Sequence, residues 1–450
     1  MKSVFIFVLI SFSPLFLNSQ ALEHGVRLLA RWDSPLPPEN GREAKYNEVW
    51  GFEYDGEEYG VIGSTLGTHV IHIKSNNAVV EVAFIEGDAS ADYVIHRDFD
   101  THDGFLYAVC DQEPSSLQVI DIRSLPETAT LVNSIDEYFT TAHNVTVDSY
   151  RNKLYISGPA GHALCIMDLA DDPANPQFLN YFDQVTYVHD CYVRRDTAFL
   201  HCAGQGMFVF NFEDSTAPQA LGSLEEYTDQ GYNHSGWWSS NGEYYVFADE
   251  TPGKRLKVCD VRDLSDIQVY ALFNSGTDPE TMAHNVMLKG DTAYVSHYYD
   301  GLQVFDLTDL DDPKRIAWYD TFRKPNNSGR GAWGIYAGLP SGRILISDRQ
   351  RGLHVFYLDK DFSLAGSTTP TINPNPGNGM LTISLTSYPT FNKVEHRVFD
   401  SLGRLIDSGN WIAPGYGPWF GVDLTKESSG IYFVEVVVDG IPHILKYLKN

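Results

Sequence analysis

Basic residues are scarce in this chain: 32 Lys and Arg stand against 59 Asp and Glu, a formal net charge of -27 at pH 7. A surface that acidic repels phosphate backbones, which excludes nucleic acid as a partner and favours cations or basic groups. Cysteine is scarce as well. The five residues Cys110, Cys165, Cys191, Cys202 and Cys259 include no Cys-x-x-Cys pair, so neither a zinc ribbon nor a thioredoxin-like site has its ligands. Their odd number leaves at least one thiol free or bridged to another molecule; Cys191 and Cys202 are spaced to face each other across a hairpin, but spacing alone does not decide connectivity. Beyond the first twenty residues no apolar run is long enough to cross a bilayer as a helix. There is no Walker loop, no dinucleotide fingerprint and no Gly-x-Ser-x-Gly elbow, which removes the usual signatures of phosphate-cofactor binding and serine hydrolysis.

The N-terminus carries Lys2, a largely apolar stretch from Val4 to Leu17, and small or polar residues at Ser19, Gln20 and Ala21. A charged start, an apolar centre too short for a membrane span and an Ala-x-Ala-like site predict a signal peptide over residues 1–19. The remaining chain is then exported, and is either soluble or held at a surface by something other than a transmembrane helix.

One apolar motif recurs seven times: THVIHI (68–73), LQVIDI (117–122), ALCIMDL (163–169), GMFVFNF (206–212), LKVCDV (256–261), GLQVFDL (301–307) and GLHVFYL (352–358). A second strand-like segment rich in aromatic and β-branched residues precedes each copy, and a third segment opening on His or Trp precedes that. The openings are Trp50, His96, His143, His189, His234, His284 and Trp333, 45 to 50 residues apart. Repeats of this length with strand character throughout predict an all-β fold, a seven-bladed β-propeller over residues 24–360. The seventh copy is followed by a polar, Pro-rich linker (361–372) instead of an outer strand, so VRLLARW (26–32) is expected to close the ring by pairing with the last blade. Residues 373–450, with alternating strands and Gly-rich turns, read as a separate small β-sandwich. The acidic turns 168–176 and 306–314 lack the Asp-x-Asp-x-Asp-Gly spacing of a calcium loop and read as solvated turns.

The recurring VIDI and VFDL strands, the AHN and GLQVFDL strings and the run GAWGIYAGLPSGRILISDRQRGLHVF (331–356) resemble LVIVD-repeat proteins, more narrowly the bacterial choice-of-anchor B family. His96 departs from that pattern, which has an aromatic residue before Arg97-Asp98. The resemblance implies the fold and an exported location, without an assigned activity. The tail is similar to the type A sorting domain of the type IX secretion system of Bacteroidetes, through NPNPGNG (373–379), VFDSLGRLI (398–406), VDLTKESSGIYFVEV (422–436) and the terminal KYLKN. That resemblance implies the type IX machinery as a partner and a final location outside a Gram-negative cell, secreted or attached to the outer membrane surface.

In a propeller the first strands of all blades begin around one mouth of the central channel. Trp50, His96, His143, His189, His234, His284 and Trp333 are therefore expected as a ring there, with Arg97, Asp98, Asp190, Asp249 and Glu250 close by. Several imidazoles with nearby carboxylates suit a transition metal, for which His143, His189, His234 and His284 are the candidate ligands; the acidity of the chain also admits calcium. The same periodicity suits a structural device in which each histidine bonds the backbone of the next blade. The expected function is a binding module, a monomer whose mouth or upper face takes a carbohydrate or peptide, with Trp237, Trp238, Tyr298 and Tyr299 as aromatic contacts. The alternative is a metal-dependent enzyme of the cell envelope that uses the histidine ring.

Overall fold

A computed structural model describes residues 23–322, 329–359, 370–385, 393–412, 419–438 and 441–450. The expected signal peptide and most of the expected linker lie outside them. The chain divides into two compact units, Met1–Leu358 and Asp359–Asn450. Both are built of strands, and a single 3-10 turn at Leu264–Asp266 is the one helical element among the described residues.

In the first unit the strands form seven antiparallel sheets. Their first strands are Tyr46–Tyr54, Arg97–His102, Asn144–Asp148, Asp190–Arg194, Asn233–Trp238, Val286–Lys289 and Ala332–Tyr336. Each of these touches the first strand of the next sheet, and the last touches Tyr46–Tyr54 again, so the contacts run in a circle. The recurring apolar motif supplies the third strand of every sheet, for example Leu117–Asp121 and Leu302–Asp306.

Position in the sheet explains why that motif is so apolar. The second and third strands are covered on both faces by neighbouring sheets, and Phe105–Cys110 and Gly67–Ile73 are buried along their whole length. Each fully buried Val or Ile there contributes about 1.5–3 kcal/mol. The fourth strands face solvent on one side, and Val79–Glu86 accordingly mixes exposed and half-buried positions. A register shift separates the third and fourth strands in all seven sheets, as at Val70/Ile71 and Val304/Phe305, which adds local twist where the sheet fans outward.

The Asp that ends most copies of the motif is a turn device. Asp121, Asp168, Asp260 and Asp306 each accept the backbone N–H two residues on, at 2.8–3.1 Å. Asp172 and Asp309 in the acidic turns do the same, toward Ala174 and Asp311. One oxygen of each carboxylate is committed to its own backbone.

The fourth strand of the last sheet is Val26–Trp32, paired antiparallel with Gly352–Leu358 from Val26 opposite Leu358 to Trp32 opposite Leu353. Just before it, Glu23–His24 adds a fifth strand to the neighbouring sheet, against Trp318 and Tyr319. All five cysteines are buried and free; Cys191 lies opposite Leu200, which leaves Cys202 out of bridging register.

In the second unit, Thr371–Asn373, Met380–Ser384 and Trp419–Asp423 form one sheet, and Leu405–Ile412, Lys393–Asp400, Gly430–Val438 and Ile441–Lys449 another. Leu381, Ile383 and Val422 of the first share a buried apolar core with Val394, Val434 and Val436 of the second.

Candidate functional site

The first strands bring five imidazoles and one indole into continuous contact. Ring centroids lie 4.4 Å apart for His96–His143, 3.9 Å for His143–His189, 4.4 Å for His189–His234, 4.3 Å for His234–His284 and 4.2 Å for His284–Trp333. Trp333 and His96 close the circle at 5.7 Å. Burial pushes His96 down to about 3 and holds His189, His234 and His284 well below the ordinary histidine value, so these rings are neutral at pH 7. His143 is the exception. Burial lowers it too, but the Asp111 carboxylate, 2.8 Å from Nδ1, outweighs that and leaves it above the ordinary value.

The ring nitrogens are not used alike. Nδ1–H of His284 donates to the carbonyl oxygen of Trp333 in the next sheet at 2.8 Å, a bond that ties two sheets together. His234 Nδ1 lies 3.1 Å from Ser235 Oγ. His189 Nδ1 is buried without a partner, as are Trp333 Nε1 and His96 Nδ1.

One residue further along the first strands lies a second polar layer. Asn144, Asp190, Ser235 and Asn285 line the channel, a cavity of about 510 Å³, together with Glu48 and Asp98. Glu48 Oε1 accepts from Val49 N at 3.0 Å and Oε2 from Asn285 Nδ2 at 2.9 Å. Gly334 makes room for it: a Cβ at that position would sit 1.8 Å from Glu48 Oε1. Asp98 accepts from Asn144 Nδ2 and Val145 N at 2.7 and 2.8 Å. Burial raises these three carboxyls, Asp98 to about 7 and Glu48 and Asp190 well above the usual range, and the charge of Asp98 raises the other two further.

On the other side of the ring is the mouth, a cleft of about 620 Å³. Glu250 stands there with Oε2 3.6 Å from His234 Nε2, and its Oε1 accepts the Tyr298 hydroxyl proton. Arg349, 1% exposed, stacks over Trp333 with its guanidinium carbon 4.3 Å from the ring centroid, and its Nε and Nη2 have no partner. Arg42, Arg330 and Tyr232 complete the wall.

Several expected residues lie elsewhere. Trp50 is outside the ring: Nε1–H donates to Thr101 Oγ1 at 3.2 Å and the indole packs on Tyr336, further along the channel wall. The equivalent of His143 in the first sheet is Asn47, because Asn47-Glu48-Val49 runs in phase with His143-Asn144-Val145 and with His284-Asn285-Val286. Arg97 points between sheets, donating from Nε to the Ser64 carbonyl at 2.9 Å and from Nη2 to that of Ala89. Asp249 is sealed away from the mouth with Lys257, whose Nζ is 2.6 Å off, and with Tyr227 and Gly231 N. Tyr299 is buried, and Trp237 and Trp238 line the channel end away from the ring, whereas Tyr298, though buried, does border the mouth.

Of the four histidines expected as ligands, His143 and His284 direct Nδ1 to Asp111 and to the Trp333 carbonyl. Among the described residues, the one group of three or more His, Cys, Asp or Glu whose ligand atoms all lie within 4.8 Å of one another is His189, His234 and Glu250. Glu48 and Arg349 were the omissions. Phasing the first sheet on Val49 instead of Trp50 would have found Glu48, and Arg349 ends its second strand where Asp111 and Glu250 end theirs.

Residues 371–448 match the family model of the secretion system C-terminal sorting domain. The domain marks the chain for export by the type IX machinery, with a secreted or outer-surface location. No helix among the described residues is long and apolar enough to cross a membrane. A search of curated proteins found no match. Among solved structures, a protein from Lactobacillus plantarum is similar at 13% identity and a TM-score of 0.51, over 84% of this chain and 100% of that one. A candidate 6-phosphogluconolactonase from Bacteroides uniformis is similar at 12% identity and a TM-score of 0.51, with the same coverage. The WD40 repeats of RRP9 match at 8% identity and a TM-score of 0.53, over 74% of this chain and 97% of theirs. At such identities the likeness concerns the fold alone, an all-β, propeller-like architecture.

Proposed function

We propose that residues 24–360 form a single seven-bladed propeller of the LVIVD-repeat, choice-of-anchor B type, followed by a β-sandwich sorting domain, and that it works outside the cell as a binding module. The circular contact order of the seven first strands supports the blade count. The ligand is taken at the mouth and carries a carboxylate, as an acidic carbohydrate or the end of a peptide does.

One observation carries this reading: the Arg349 guanidinium is buried in the wall of the mouth with Nε and Nη2 unpartnered. A buried donor left open costs about 1–3 kcal/mol, more when charged, and an anionic ligand that gains access to Arg349 by a small movement of the mouth wall would satisfy two at once in the fork geometry that guanidinium favours. Arg42 at the rim adds attraction in a chain that is otherwise strongly acidic, while Arg330 there is ion-paired with Glu43.

The test is a binding screen of the full chain against acidic and neutral oligosaccharides and peptides, repeated on an Arg42→Ala, Arg330→Ala variant and on Arg349→Lys. Acidic ligands are expected to bind, with affinity falling about tenfold or more in both variants while melting temperatures hold, since charge-assisted bonds to ligand are worth about 1.5–3 kcal/mol each. Binding that ignores both changes would place the ligand elsewhere and end this reading.

A further inference from the structure

The mouth holds a second set of unsatisfied groups, and it points to a metal. The tautomer of His234 can be assigned from its neighbours. Ser235 Oγ lies 3.0 Å from both the His284 carbonyl oxygen and Asn285 Oδ1. Both are acceptors, the amide being oriented by its Nδ2–H bond to Glu48, so the one Ser235 hydroxyl proton goes to one of them. Ser235 Oγ therefore accepts from His234, and the histidine proton sits on Nδ1. Its Nε2 carries a lone pair, which faces Glu250 Oε2 across 3.6 Å.

That arrangement is unfavourable as it stands. Two electron pairs oppose each other, one on a buried ring and one on a half-buried carboxylate, at a distance too long for a hydrogen bond. Beside them His189, 6% exposed, keeps Nδ1 buried and unpartnered. A cation between these side chains would remove the conflict. Metal–ligand bonds of about 2.0–2.2 Å place neighbouring donors of a tetrahedral site some 3.3–3.6 Å apart, and the Nε2–Oε2 separation falls in that range.

We propose that His189, His234 through Nε2, and Glu250 bind one divalent transition metal of the zinc class. Two imidazoles and one carboxylate favour such an ion over calcium, which prefers six to eight oxygens. The supporting bonds are those a metal site needs: Ser235 fixes the His234 tautomer, and the Tyr298 hydroxyl holds the other oxygen of Glu250. Three protein ligands leave a fourth position, and because Glu250 also borders the mouth cleft, that position is open to water or an incoming ligand. The proposal stands whether or not the mouth takes an acidic ligand.

The test uses the full chain without a polyhistidine tag, stripped with chelator and titrated with Zn²⁺ by calorimetry, then with Co²⁺ by visible absorption. One Zn²⁺ per chain is expected, with a Co²⁺ spectrum of low coordination number. Glu250→Gln keeps the shape of the side chain and an acceptor for Tyr298, and is expected to weaken binding a hundredfold or more and abolish the Co²⁺ bands. Ser235→Ala, which removes the support of His234 together with the hydroxyl's own bond to His284 or Asn285, is expected to weaken it by about tenfold, the lower end for loss of an outer-shell partner. Absence of stoichiometric binding by the native chain overturns the proposal. So does binding that Glu250→Gln and His189→Ala both leave unchanged while circular dichroism shows them folded, because the metal would then sit at surface histidines.

Discussion

Asp249 and Glu250 are neighbours in sequence and opposites in environment. Glu250 reaches the mouth, whereas Asp249 turns into the sheet, where its side chain and that of Lys257 are both completely buried. A buried ion pair adds little relative to an apolar pair of the same volume, but removing one partner strands the other charge. Lys257→Met is therefore expected to destabilise the first unit by about 3–5 kcal/mol in denaturant unfolding. Adding Asp249→Asn to it is expected to recover part of the loss. A Lys257→Met protein as stable as the native one would show that Asp249 is not held as a charge.

At the scale of elements, the strand Val26–Trp32 covers an edge that the last sheet would otherwise expose along Gly352–Leu358. Deleting residues 23–32 is expected to lower the melting temperature and to produce concentration-dependent association in light scattering, as bare edges pair between molecules. A deletion variant that stays monomeric and equally stable would mean this strand is ornamental. Its role was legible in the sequence, since six copies of the motif have a following strand and the seventh does not. Trp50 was less legible. The Trp-Gly shared by Trp50-Gly51 and Trp333-Gly334 suggests a common position, while the backbone register makes Asn47 the counterpart of Trp333. Strands covered on both faces lack the polar-apolar alternation that would reveal their phase, so which of Asp249 and Glu250 meets the channel was not readable either. Nor was Glu48 to be foreseen as a channel residue, because the space it fills is made by Gly334, far away in the chain and adjacent only once the circle is complete.

For the whole molecule, five buried thiols and no disulfide put all of the stability into packing and hydrogen bonds. Burial pushes Cys165, Cys191 and Cys202 up to about 12, which keeps them in the unreactive thiol form. Reductant is expected to leave the melting temperature unchanged. A thiol reagent is expected to find no reactive group in the native chain and five after unfolding; reaction in the native state or a reductant-dependent shift would contradict the free, buried assignment.

The pairing of Val26–Trp32 with Gly352–Leu358 also orders events in time. Val26–Trp32 can find its partner only after the last sheet of the first unit has been synthesised, so the circle stays an open arc while the chain emerges. The sorting domain lies after that final strand. By the time the export address can be read, every residue needed to shut the ring is already present, and the chain presents its address as a body able to fold completely.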